Sequence, residues 1–117
     1  SSSAASDVYK RQVKAEYEAL AKANENSWRI LFSIANVFSY NEYFKEAIQM
    51  WQKTFDCMPK PRYTDSFEAM AQCCVRMGDH ESAVEYYKKE LELLREDWGL
   101  KYGAEVDALE EKIRALQ

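Results

Sequence analysis

Apolar positions in this chain recur at an interval of 36 residues, and that echo limits what it can fold into. Ala35 and Ala47 return as Ala71 and Ala83. Leu31/Phe67, Ile34/Met70, Phe38/Cys74, Ile48/Val84, Trp51/Tyr87 and Phe55/Leu91 keep hydrophobic character at matching positions. Within each copy these residues fall at helical spacing on two segments. A single hairpin of two such helices cannot bury its apolar face, so units of this kind stack on their neighbours. The expected class is all-α, built from antiparallel helical hairpins.

The punctuation of the chain sets the helix ends. A first helix is expected over 13–23, with Val13, Tyr17 and Leu20 inward. Ser27 is placed to cap a second helix over 28–40, which turns Leu31, Ile34, Ala35 and Phe38 inward. Asn41-Glu42 makes a turn into a third helix over 43–57, carrying Phe44, Ala47, Ile48, Trp51 and Phe55. Pro59 and Pro61 stop it, since neither donates a backbone hydrogen bond. Thr64 is placed to cap a fourth helix over 65–77, with Asp65 against its positive end. Gly78 can supply a left-handed C-cap. A fifth helix follows over 80–97, with Ala83, Val84, Tyr87, Leu91 and Leu94, and a sixth over 104–117, with Val106, Leu109, Ile113 and Leu116. Alanine at the four matching positions lets helix backbones approach, while larger residues one turn away fill the grooves.

This order of large, small and aromatic residues resembles the tetratricopeptide repeat. Leu31, Ile34-Ala35, Phe38, Phe44, Ala47, Trp51 and Pro59 fill the motif once; Phe67, Met70-Ala71, Cys74, Gly78, Ala83 and Tyr87 fill it again. The likeness covers residues 28–94. The family's usual period is about 34, and the two additional residues fit at Lys60-Pro61-Arg62. Glu42 stands where the turn glycine is usual, Thr54 and Glu90 where a small residue is usual, and Arg95 where the second proline would be. The resemblance implies a fragment of a right-handed superhelix. Residues 13–24 are then the orphan second helix of a preceding repeat, 28–59 repeat 1, 64–97 repeat 2 and 104–117 a capping helix. The Glu/Lys/Arg-rich outer face of that last helix would equally suit the start of another element.

Two further likenesses bear on the ends. Residues 2–12 resemble, residue for residue, a translated sequencing adapter, so 1–12 are expected to be a non-native leader, disordered or frayed, and the natural segment to begin near Val13. Tyr87, Leu93-Leu94-Arg95-Glu96, Gly99, Val106, Leu109 and Ile113 are similar to the closing segment of bacterial transcriptional activator domains, with Tyr102-Gly103 where Pro-Ser is usual. That likeness implies an alternative role as the regulatory domain of a transcription regulator.

Little here suggests chemistry. The glycines are Gly78, Gly99 and Gly103, which make no phosphate loop. His80 is the single histidine and occupies the position held by Phe44, which reads as a partly buried packing residue. Cys57, Cys73 and Cys74 are odd in number, form no CxxC and offer no zinc set. Cys74 matches Phe38 and reads as a small core residue. Free thiols suit a reducing, cytoplasmic setting. Carboxylate pairs such as Glu110-Glu111 fall on polar faces. No enzyme, cofactor or metal is expected. A formal net charge of −4 argues against nucleic acid as the partner of this segment, and no apolar run reaches the length of a membrane span.

In tetratricopeptide arrays the first helices of the repeats line a concave surface where peptides bind. Carried onto this chain, the resemblance implies a groove from Arg29, Phe32, Asn36 and Tyr40, then Glu68, Gln72 and Arg76. Exposed aromatics are enriched at binding hot spots, and the Asn36 amide can both donate to and accept from a peptide backbone. Family members that grip a C-terminal carboxylate carry Lys where Phe32 stands, which argues against that kind of clamp. The expected role is a protein or peptide interaction scaffold, part of a larger cytosolic protein, with an uncapped first helix that could self-associate.

Overall fold

The computed structural model describes residues 2–117. Six α-helices and no strand occur among them: α1 (Ser2–Ala23), α2 (Trp28–Tyr40), α3 (Phe44–Cys57), α4 (Asp65–Arg76), α5 (His80–Trp98) and α6 (Ala104–Leu116). The chain divides into two compact units, one ending at Cys57 and one beginning at Met58. Each is built around one hairpin, α2–α3 in the first and α4–α5 in the second. The all-α expectation holds, and the helix ends agree with the expected ones within about a residue, apart from the start of α1.

In the first unit Ser27 caps α2 as its sequence implies. The residue is extended, and its hydroxyl accepts from Ile30 N at 3.4 Å. At the other end, Glu42 N donates to Ser39 O (3.0 Å) and Tyr43 N to Phe38 O (2.8 Å). This pair of bonds satisfies carbonyls left over by the last helical turn and requires a left-handed residue between them. Glu42 fills that place at φ 65°. Leu31, Ile34, Ala35 and Phe38 are buried from α2, and Ala47, Met50, Trp51 and Thr54 from α3. Phe44, Ile48 and Phe55, expected inward, are half-buried. The interior face of α3 is thus rotated toward Met50 and Thr54, and Thr54 is tolerated because its hydroxyl bonds Trp51 O at 2.5 Å.

The second unit repeats the same turn bond for bond. Gly78 N donates to Val75 O (3.0 Å) and Asp79 N to Cys74 O (2.8 Å), with Gly78 at φ 78°. Asp79 then caps α5, its carboxylate accepting from Ser82 N at 3.0 Å. Ala35, Ala47, Ala71 and Ala83 are all completely buried, as close helix approach demands. From α6, Val106, Leu109 and Ile113 lie buried; Leu116 is half-buried.

Four local expectations give way. The segment expected to be disordered or frayed is helical from Ser2 onward, continuous with α1. Its Ala, Lys, Arg and Gln are strong helix formers that extend a helix already nucleated, although Ser3–Tyr9 remain exposed. Leu20 is 44% exposed while Ala21 is buried, so α1 presents Tyr17 and Ala21, and Lys14 one turn earlier bonds Glu46 at 3.0 Å. Thr64 makes no side-chain cap, because its backbone is already helical (φ −86°, ψ −11°). His80 is exposed, since as the first residue of α5 it precedes the turn that packs.

Candidate functional site

The seven residues implied by the resemblance fall on two helices in different units, and each set stands by itself. On α2, Arg29, Asn36 and Tyr40 are exposed, Tyr40 at 88%. Their spacing, with Phe32 between them, keeps them along one side of the helix. Arg29 lies over the Trp28 ring, 4.8 Å from its centroid. Phe32 is half-buried because its ring meets Trp51 edge-on, 6.4 Å centroid to centroid. That contact fixes the Phe32 ring against the hairpin. The Asn36 amide and the Tyr40 hydroxyl make no hydrogen bond within the described residues. Both are available to a partner.

The α4 set behaves differently. Gln72 and Arg76 are exposed, whereas Glu68 is half-buried and already engaged. Gln72 Nε2 donates to Glu68 Oε1 at 3.4 Å, and Lys112 of α6 donates to the same oxygen at 3.1 Å. Lys112 also lies 5.6 Å from the Tyr87 ring centroid. The carboxylate bond raises the Lys112 pKa. Glu68 therefore helps to seat α6, a role that nothing in its sequence spacing signals.

Beside this pair sits Glu90, which sequence reasoning marks only as an unusual residue at a small position. It is 3% exposed, and Oε1 has no hydrogen-bond partner. Burial first, then repulsion from Glu68, Glu105 and Asp65, pushes its pKa up to about 8 against the partial attraction of Lys112. At neutral pH the group is mostly protonated. Thr54 occupies the matching position in the first hairpin and resolves the same problem with a local hydroxyl bond.

The end of α5 carries a second constellation. Arg62 donates from its backbone N (2.9 Å) and Nε (2.7 Å) to Asp97 Oδ2, and from a terminal nitrogen to Oδ1 at 3.0 Å. The side-chain hydrogen bond from Arg62 leads the effects that hold the Asp97 carboxyl at about 2. Trp98 Nε1 donates to Arg62 O at 2.7 Å, and the Tyr63 and Trp98 rings lie 6.4 Å apart. Tyr63, Thr64, Asp65, Leu94, Trp98, Leu100 and Glu105 surround a cavity of about 420 Å³.

Other chemistry is sparse. Cys73 and Cys74 are buried, and burial, with the nearby Asp79 charge, pushes the Cys74 thiol up to about 11. Among the described residues no three His, Cys, Asp or Glu side chains come together to hold a metal. No helix there is long and apolar enough to cross a membrane. Compared with family models and with curated proteins, the chain matches none.

Proposed function

We propose that this chain is a tetratricopeptide-like interaction module that binds a protein or peptide partner through the exposed face of α2. The observation that carries this reading is the unpaired Asn36 amide beside the 88%-exposed Tyr40, with Phe32 anchored between them and the hairpin core. Asn36 supplies paired hydrogen bonds for an extended backbone, and Tyr40 supplies a rigid aromatic surface with a polar tip. The matched turns at Glu42 and Gly78 and the four buried alanines support a repeat architecture, which serves as a scaffold more often than as a catalyst. Three cysteines outside any disulfide fit a cytoplasmic setting, and the acidic balance fits a protein partner better than a nucleic acid.

The test is selection from a random peptide library displayed on phage, followed by titration of the winning peptides. Peptides chosen by the native chain should lose about tenfold or more in affinity, as hot-spot truncation does, when Asn36 or Tyr40 is replaced by alanine. Both positions are exposed, so the thermal midpoint should hold. Equal binding by the variants, or no enrichment at all, would overturn the assignment.

A further inference from the structure

The cavity at the end of α5 has a chemistry that the α2 face lacks. Two of the lining residues are aromatic: Tyr63 and Trp98 are half-exposed, 47% and 48%, with their ring planes inclined at 38°. Buried Leu94 and half-buried Leu100 supply apolar lining, and the exposed Asp65 and Glu105 line the same space. Both carboxylates are exposed, and neither pairs with a base. No Lys, Arg or His lines the space. Arg62, next to Tyr63 in the chain, is consumed by its bidentate bond to Asp97. Asp65 and Glu105 also help to raise the Glu90 pKa, against the attraction of Lys112.

The aromatic pair is also held in place before any ligand arrives. The Trp98 indole is tied to Arg62 O, and Arg62 is tied to Asp97 on the same helical turn as Trp98. A preorganised aromatic surface loses little freedom on binding. At about 420 Å³ the cavity falls in the size range of ligand pockets, roughly 300–1,000 Å³.

We propose that this cavity is a receptor for an arginine side chain of a partner protein. A guanidinium is planar and weakly hydrated, so it stacks on an indole face while its edge N–H groups reach a carboxylate. The apolar lining of Leu94 and Leu100 accepts the methylene stem. Asp65 and Glu105 supply the opposite charge from two helices, α4 and α6, so either one can take the fork of the guanidinium. An ammonium matches the charge but not the flat rings, which makes arginine the better fit than lysine. The site shares no residue with the α2 face, so the two proposals can fail independently.

The experiment is a titration of the isotope-labelled full chain with N-acetylarginine amide, followed by amide and indole N–H chemical shifts. Saturable shifts are expected at the Trp98 indole and the Leu100 amide. The uncharged citrulline analogue should produce none there, and the lysine analogue should bind more weakly. The double variant Asp65→Asn, Glu105→Gln should weaken binding about tenfold or more, the scale of a lost charge-assisted bond. Both side chains are exposed, and a native-like spectrum of the variant verifies its fold. Tyr40→Ala should leave this titration unchanged. Absence of a saturable response at Trp98, an equal response to citrulline, lysine binding as tightly as arginine, or undiminished binding by the double variant would each overturn the assignment.

Discussion

Arg62 and Asp97, 35 residues apart, are joined by three hydrogen bonds to one carboxylate, two of them to the same oxygen. The Asp97 side chain is 1% exposed. This pair fastens the Pro59–Pro61 loop to the last turn of α5, and through the Trp98 bond it also orients the aromatic rings described above.

Replacing Asp97 with Asn should therefore lower the thermal midpoint by several degrees, since one acceptor oxygen and the charge are lost while Arg62 stays in place. The native pair also has a pH signature. The Asp97 pKa is about 2 in the fold against 3.8 ordinarily, so its contribution is complete above about pH 4 and disappears as pH falls toward 2. Thermal melts of both proteins from pH 6 to pH 2 should converge at the acid end. Parallel curves throughout would contradict this.

Glu90 predicts the opposite slope. Its folded pKa of about 8 lies above the ordinary 4.5, so the folded state holds a proton that the unfolded state releases. Stability from this group is full below about pH 4.5 and is lost progressively as pH rises to about 8. Glu90→Gln keeps the shape without the ionisation and should stabilise the protein at pH 7 by on the order of 3 kcal/mol. Denaturant melts between pH 4.5 and 8.5 should show the variant gaining on the native chain with each step up in pH. A constant difference would exclude ionisation of Glu90 as the cause.

Glu42 and Gly78 occupy the same place in two turns, at φ 65° and 78°. A side chain in left-handed geometry costs about 1 kcal/mol that glycine avoids. Glu42→Gly should stabilise the chain by roughly 0.5–1 kcal/mol, and Gly78→Ala should destabilise it by about 1 kcal/mol. Nothing lies within 4 Å of a methyl group built on Gly78, so that loss would come from the backbone alone. Urea midpoints moving in these opposite directions provide the check.

Ala83 is completely buried where α5 meets its hairpin partner. Ala83→Leu inserts volume at a completely buried position and should cost about 1–3 kcal/mol. Calorimetry would reveal it, and an unchanged midpoint would argue against close approach of the two helices.

Much of the hairpin architecture is legible residue by residue. Ser27 reads as a cap and is one, and Gly78 reads as a left-handed stop and is one. Thr64 carries the same kind of signal yet does not cap, because the chain enters α4 already in helical geometry, downstream of the Arg62 tether. Leu20 lies on the expected stripe, but the pairing of Lys14 with Glu46 accompanies a face of α1 that favours Ala21. The α2 residues of the candidate site could be placed on one side of a helix from spacing alone. That Glu68 would be claimed by Lys112 could not, since the two are 44 residues apart.

Sequence alone determined where helices α2 to α6 lie, that the four repeat-matched alanines vanish into the interior and where the chain turns back, because these follow from local propensity and from a period repeated within the chain. Tertiary structure alone decided the fate of the polar exceptions. Glu90 became a buried, mostly protonated acid because of its burial and the carboxylates around it. Arg62, Asp97, Trp98 and Tyr63 became one assembly because the loop before α4 returns to the end of α5. Charge, burial and cavity shape depend on residues distant in sequence, and only the folded chain brings those together.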